Sequence, residues 1–136
     1  MGFSTSASVV ILAASLMYMA AIFYPFANLS YHRVLDAKKN LNDMQFDKLN
    51  TKIVIMNTQN DGGNLKITVS NNGSVTLNAS KLNVIHNGML LSASSFSVSQ
   101  EGVWTPRDFI DVTLNGITSG RTKIITSNGI ADYAVT

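Results

Sequence analysis

The first 31 residues of the chain contain no Asp, Glu, Lys, Arg or His, and an almost uninterrupted apolar run extends from Val9 to Phe26. A helix from Phe3 to Tyr24 would be about 33 Å long at about 1.5 Å per residue, enough to cross a hydrocarbon core of about 30 Å. The sequence therefore predicts an N-terminal helix that lies in a membrane or in the core of an assembly. The residues expected to form its apolar surface are Val9, Val10, Ile11, Leu12, Leu16, Met17, Ile22 and Phe23.

A cleaved secretory signal is the alternative interpretation of this stretch. Such signals have a basic first region, an apolar core of about 7 to 15 residues and a small-x-small cleavage site. Here no Lys or Arg precedes the apolar run, and the run is longer than that. These departures favour a retained helix.

Residues Ser30–Asn50 alternate charged and apolar side chains at helical spacing, which predicts an amphipathic stalk that continues the first helix. Pro25 is expected to kink the helix near the membrane boundary, because proline removes one backbone donor. The apolar stripe, expected to pack on protein, consists of Val34, Leu35, Leu41, Met44 and Leu49. The predicted organisation is an anchor helix over 1–29, a stalk over 30–50 and a third domain over 51–136.

From Thr51 onward the apolar period changes to two, and Val, Ile and Thr become frequent, which predicts β-strands. Gly-containing pairs such as Asn72-Gly73 and Asn87-Gly88 separate the runs; they are expected to supply residues at positive φ and are typical of tight antiparallel turns. The pattern predicts an all-β antiparallel sandwich of immunoglobulin-like type. The predicted strands are Thr51–Asn57, Leu65–Ser70, Val75–Leu77, Leu82–His86, Met89–Leu91, Phe96–Ser99, Phe109–Leu114, Arg121–Thr126 and Ala131–Val135.

Composition and motifs exclude several classes of function. The absence of cysteine excludes disulfides, thiolate metal sites and a cysteine nucleophile, and a net charge of +2 without a basic patch argues against nucleic-acid binding. Neither His32 nor His86 has a second ligand at helical spacing, and Asp61-Gly62-Gly63-Asn64 is interpreted as a hairpin turn rather than a calcium loop. No catalytic, cofactor-binding or metal motif is found, so the chain is predicted not to be an enzyme and to need no cofactor.

Two local features stand out from the background. Trp104 and Arg107 lie where a loop enters a strand; burial of the tryptophan at one end of the core is the favoured interpretation, and a protein contact through both residues is the alternative. Asn72 and Asn78 head N-x-[ST] sequons and are candidate glycosylation sites if the domain faces outward, whereas Asn28 lies too near the membrane.

Two kinds of sequence feature predict opposite orientations of the chain in the membrane. Arg33, Lys38 and Lys39 follow the span, so the positive-inside rule alone would place the β-domain in the cytoplasm. The sequons and the polar strands rich in Ser, Thr and Asn favour the outside.

The opening Met1-Gly2-Phe3-Ser4-Thr5-Ser6, the uncharged helix, the short stalk and the β-domain with Asn-Gly turns before Trp104-Thr105-Pro106 together resemble archaellum stator proteins of the F and G type, with the F type favoured. The resemblance implies a single-pass membrane protein whose outward-facing sandwich binds the surface-layer protein and anchors the motor against it. It implies as partners other archaellum motor and stator subunits, membrane lipid and further copies of the chain.

An archaellin-like or type IV pilin-like filament subunit, with the helix in the filament core and an extracellular location, is the alternative function. The basic leader of such subunits is absent from the sequence, which favours the stator. A third class, an envelope module that binds carbohydrate or a secreted ligand, would expose aromatic side chains on one face; Trp104 and Tyr133 are its only candidates.

Overall fold

The computed structural model describes residues 2–136 and contains one long helix followed by short strands. The chain divides into two compact units, one that ends at Asn42 and one over Asp43–Thr136. The elements are the helix α1 (Gly2–Asn50) and the strands β1 (Ile53–Asp61), β2 (Asn64–Asn71), β3 (Leu77–Asn78), β4 (Asn83–His86), β5 (Met89–Leu90), β6 (Phe96–Val98), β7 (Val103–Trp104), β8 (Phe109–Leu114), β9 (Arg121–Ile125) and β10 (Ala131–Val135), with a 3₁₀ turn at Ala79–Lys81.

The helix α1 is continuous from Gly2 to Asn50 and includes Pro25. It therefore joins the predicted anchor and stalk in one element. Its hydroxyl side chains bond to the preceding turn of the helix, as where Ser15 donates to the carbonyl oxygen of Leu12 at 2.8 Å. A serine satisfied in this way adds little polarity to an apolar helix.

The strands of the second unit form two four-stranded antiparallel sheets and a two-stranded ribbon. The first sheet has the order β1-β2-β8-β6, the second has the order β10-β9-β4-β5, and β3 pairs with β7. Strand β2 alternates strictly between half-buried and buried positions over Asn64–Asn71, which is the period-two pattern of a strand with one face on a core. The predicted architecture of an apolar helix followed by an antiparallel β-sandwich is confirmed.

The core lies between the two sheets. Buried residues of β2 and β8, such as Ile67 and Val112, belong to one cluster with Val84 of β4 and Ile124 of β9, and each of these four side chains is completely covered. Within residues 2–136 no buried side-chain nitrogen or oxygen lacks a hydrogen-bond partner. Packing and complete polar satisfaction thus hold the sandwich together in a chain without cysteine.

The tight turns follow the glycine pattern in most places. Gly62 and Gly63, both at positive φ, connect β1 to β2 in register Asp61↔Asn64, which confirms the predicted hairpin turn. Asn87 and Gly88 do the same between β4 and β5. The structure also contains a strand, β7, that the sequence pattern did not predict; it is only two residues long and pairs with β3.

One carboxylate connects the free edges of the two sheets. The Asp132 side chain on β10 accepts a hydrogen bond from the backbone N–H of Ile55 on β1 at 2.8 Å, and its other oxygen accepts from the N–H of Tyr133 at 2.9 Å. Ile55 lies beside the bulge that interrupts the β1–β2 register. The bulge and the carboxylate together end regular strand pairing on this edge.

The outer face of the first sheet is polar. Lys66 Nζ lies 2.9 Å from Asp111 Oδ2, and the Thr68 hydroxyl donates to Asp111 Oδ1 at 2.6 Å. The Thr68 hydrogen bond and then the Lys66 ammonium hold the pKa of Asp111 below its ordinary value. The pair is partly exposed, so its contribution to stability at neutral pH is below about 1 kcal/mol, and that contribution is lost as the pH falls through the lowered pKa.

Candidate interaction surfaces

The apolar surface of the helix has no protein cover within the described chain. The predicted membrane or assembly residues expose between 51% (Ile22) and 75% (Met17) of their surface. This part of α1 is long and apolar enough to cross a membrane, and none of it is buried. Large contiguous apolar surface of this kind requires lipid or protein around it. The helix is therefore the first interaction surface.

The end of the helix is fixed to the sandwich by short-range contacts inside the second unit. The carbonyl oxygen of Asn50 accepts from the N–H of Ser74 at 2.9 Å. The Thr51 hydroxyl donates to the carbonyl oxygen of Asp47 at 2.6 Å and accepts from the Asn128 amide at 2.9 Å. The last turns of the helix thus end on the loop after β2 and on the β9–β10 turn, without a flexible linker.

Gly73 was predicted to supply a positive φ in this loop, and that prediction is wrong. Its φ is not in the left-handed region; glycine is needed because an added Cβ would lie 2.6 Å from the backbone nitrogen of Lys52 and closer still to the carbonyl oxygen of Asn50. Both neighbours are backbone atoms where the helix ends, so neither can move aside as a flexible side chain would.

Replacing Gly73 with Ala should lower the free energy of unfolding of the second unit by about 1–3 kcal/mol, because the methyl group overpacks a backbone contact. Urea denaturation of the full chain in detergent micelles would measure this. Gly62→Asn is the matched control: it lies at a positive φ that Asn tolerates and has open space around it. Equal stability of both variants would contradict the role given to Gly73.

Trp104 is completely buried, which confirms the favoured interpretation. Its indole N–H donates to the carbonyl oxygen of Asp108 at 3.1 Å. The indole has no exposed surface in this structure, and the alternative interpretation of Trp104 and Arg107 as a partner contact stays a prediction. Arg107 stays exposed at a positive φ of 66° and remains a candidate contact.

The residue that organises this end of the sandwich is Asn71, which no sequence motif marks. Its buried amide donates to the carbonyl oxygens of Val75 (2.9 Å) and Trp104 (3.3 Å) and accepts from the N–H of Gly73 at 3.1 Å. Its backbone carbonyl accepts from the N–H of Arg107 at 2.7 Å. Asn71 therefore connects the loop at the helix end to the loop of Trp104. The only sequence signal for Asn71 is its place in an alternating strand, where the last inward-facing residue is Asn rather than Val.

The two sequons differ in accessibility. Asn72 is exposed, and its side-chain oxygen accepts from the Ser70 hydroxyl at 3.0 Å. Asn78 is half-buried, and its side-chain oxygen caps the 3₁₀ turn by accepting from the N–H of Ser80 at 2.9 Å. Of the two candidate glycosylation sites, Asn72 is the more accessible.

The outer face of the second sheet carries exposed apolar and basic side chains. Tyr133 and Val135 on β10 are 63% and 74% exposed, and Leu90 on β5 is 66% exposed. Lys123 Nζ lies 5.5 Å from the centroid of the Tyr133 ring. The two sheets thus have different outer faces, one polar and one apolar and basic.

His32 and His86, the two histidines considered as metal ligands in the sequence, do not lie in a cluster of potential metal ligands within the described residues. Within residues 2–136 no group of three or more His, Cys, Asp or Glu side chains is placed to hold a metal ion. The His86 ring contacts the Thr122 hydroxyl and the Asn87 amide, both at 3.1 Å. His32 is exposed on α1.

The fold defines a class of protein in which a single apolar N-terminal helix is followed by one antiparallel β-sandwich. Comparisons with known proteins agree with this class. The chain is similar to flagella-related protein F of Methanocaldococcus jannaschii, with 26% identity over 131 residues that cover 95% of this chain and 94% of that protein. It is also similar to flagella-related protein F of Methanococcus voltae, with 23% identity over 98% of each chain.

A solved structure shows a similar fold. The archaellum periplasmic stator protein FlaG from Sulfolobus acidocaldarius matches 63% of this chain and 99% of its own with a TM-score of 0.50 and 18% sequence identity. No protein-family model matches the sequence. The resemblance to F-type archaellum proteins is therefore confirmed as a similarity over nearly the whole chain, and the immunoglobulin-like classification of the sandwich stays a prediction.

Proposed function

We propose that this chain is a non-enzymatic structural component of the archaellum: a stator that α1 anchors in the membrane and whose sandwich binds the surface-layer protein. The observation that carries the proposal is the similarity to two flagella-related F proteins over both the helix and the sandwich. The match covers 94% of the length of one and 98% of the length of the other. A relative that shared only the sandwich would support a binding module and leave the anchor unexplained.

The structure supports a stator through the contacts by which the helix ends on the sandwich. A helix in lipid holds the protein at the membrane but lets it drift sideways, so a fixed reference for torque needs a second attachment. The contacts of Asn50 and Thr51 with the sandwich leave no flexible segment where the helix ends, so force applied to the sandwich reaches the helix end directly. The proposed partners are the surface-layer protein, other archaellum subunits, lipid and further copies of the chain through the helix or an edge strand.

Co-sedimentation with isolated surface-layer sheets tests this function. The full chain in detergent micelles should sediment with the sheets, whereas a chain that ends at Asn50 should not. Equal sedimentation of both chains would rule out binding by the sandwich. Long helical filaments of the purified chain in electron micrographs would instead establish the filament-subunit alternative.

The proposed location of the β-domain is the extracytoplasmic side. Its accessible sequon at Asn72 and its low charge support this orientation, against the basic residues Arg33, Lys38 and Lys39 that follow the span.

Single-cysteine labelling decides the orientation cleanly because the chain contains no cysteine of its own. Lys81→Cys, at an exposed position of the 3₁₀ turn, should react with a membrane-impermeant maleimide in intact cells. Gly2→Cys, at the opposite end of the span, should react only after the cells are opened. The reverse pattern would place the sandwich in the cytoplasm.

A further inference from the structure

The outer face of the second sheet combines apolar and basic side chains without a carboxylate. One row of cross-strand partners joins Leu90, Ile85, Lys123 and Tyr133 across all four strands. The outward-facing positions of these strands contain two basic residues and no Asp or Glu. Asp132 on β10 belongs to the other face, because it is in register with the buried Ile124, and its carboxylate accepts a hydrogen bond from Ile55 of the first sheet. Exposed aromatic, aliphatic and basic residues in one patch are typical of protein-binding surfaces.

This face is concave. A groove of about 590 Å³ is lined by Ile85, Gly88, Arg121, Lys123, Tyr133 and Val135. Gly88, one of these lining residues, lies at a positive φ of 84° and has open space where a side chain would stand. The groove has an apolar wall, and Arg121 and Lys123 supply two cations on the central strand β9. An apolar side chain with a carboxylate beside it would satisfy both features.

We propose that this groove is the docking site for a segment of the surface-layer protein that carries an Asp or Glu beside an apolar side chain. The apolar side chain lies against Tyr133, Ile85 and Val135, and the carboxylate pairs with Arg121. The proposal deepens the proposed function and rests on it for the identity of the partner. The chemistry of the bound segment follows from the groove itself.

Charge distinguishes this occupant from a second copy of the chain. A twofold contact through this face would set Arg121 and Lys123 against the same residues of the other copy, with no acidic residue between them. Self-association predicted for the chain uses the helix or an edge strand and does not need this face.

An anionic membrane is also a weaker fit than an acidic polypeptide. Membrane-binding surfaces use clusters of about four to eight basic residues, each contributing about 1 kcal/mol, and this face has two. Its concave shape accepts an inserted side chain, whereas a surface that inserts into lipid presents protruding apolar residues.

Matched substitutions in the full chain test the site by co-sedimentation with surface-layer sheets. Arg121→Glu and Tyr133→Ser should each weaken binding about tenfold or more. Lys81→Glu and Phe109→Ser are the controls: one removes an exposed basic residue outside the groove, and the other removes an equally exposed aromatic residue, 65% against 63%, from the polar face of the first sheet. Loss in the first pair with binding retained in the second pair supports the proposal.

The other outcomes overturn the docking site or separate it from the function. Unchanged binding by Arg121→Glu and Tyr133→Ser overturns the site and leaves the stator function standing. If the parent chain does not sediment with the sheets, the stator function fails. NMR with a synthetic peptide that alternates Asp and Leu then tests the groove by itself. Chemical-shift changes at Arg121 and Tyr133 that disappear with a peptide in which Asn replaces Asp support the docking site. The absence of such changes overturns it. A change of oligomeric state in Arg121→Glu would assign the face to a second copy of the chain. Flotation with anionic vesicles that depends on Arg121 would assign it to a membrane. Either result overturns the proposal.

Discussion

A chain in which Arg replaces both Leu12 and Leu16 should disappear from the membrane fraction. The two residues lie one helical turn apart near the centre of the predicted span and are 63% and 68% exposed. An arginine at the centre of a membrane helix costs about 2.5–3.5 kcal/mol on insertion, so the pair should cost about 5–7 kcal/mol. The measurement is the amount of chain that stays with membranes after an alkaline wash.

The control for this prediction is the pair Leu35→Arg and Leu41→Arg, which places the same two charges in the polar part of the same helix. This variant should stay in the membrane fraction. Retention of the Leu12 and Leu16 variant after the alkaline wash would show that the apolar helix is surrounded by protein rather than lipid, which is the situation of a filament subunit.

Replacing Trp104 with Ala should lower the free energy of unfolding of the second unit by about 3–5 kcal/mol. The indole is completely buried in the core, and its removal leaves a large cavity and takes away the donor to the carbonyl oxygen of Asp108. Urea denaturation of the full chain in micelles, followed by circular dichroism in the far ultraviolet, measures the loss.

Two variants make the Trp104 prediction specific. Val103→Ala changes the neighbouring residue of β7, which is 63% exposed, and should cost less than about 0.5 kcal/mol. Trp104→Phe keeps most of the apolar volume but loses the N–H donor, so it should fall between the parent chain and Trp104→Ala. A loss below about 1 kcal/mol in Trp104→Ala would mean that the core can close over the missing side chain.

Much of the fold is predictable from sequence because it depends on local patterns. The period-two alternation of Leu65, Ile67 and Val69 predicts an inward face, and these three side chains are among the most buried in the structure. The strand β7 was missed because it exists only through the pairing of Leu77 with Trp104. Long-range pairing of this kind has no signature in either segment alone.

The surfaces were predictable in part for the same reason. The apolar helix is visible in sequence because its signal is contiguous, and the burial of Trp104 follows from general preferences of large aromatic residues. Gly73 was given the wrong role because its sequence, Asn-Gly, also describes a turn with positive φ, and only the fold brings the backbone of Lys52 against it. The groove was missed because its residues come together only when β4, with Ile85, pairs with the distant strand β9, which carries Arg121.

The carboxylate of Asp132 also determines how this sandwich can assemble. To add a strand from another molecule at Ile55, the new backbone would have to displace the carboxylate, which would lose the N–H donor of Ile55 and stay as a charge between two strands. Removing a partner from a charged group costs more than the about 1–3 kcal/mol of a neutral one, so the β1 edge is closed to strands from other molecules. An edge-strand contact between copies of the chain, as proposed above, is therefore left with β5 and β6, the edge strands on the opposite sides of the two four-stranded sheets.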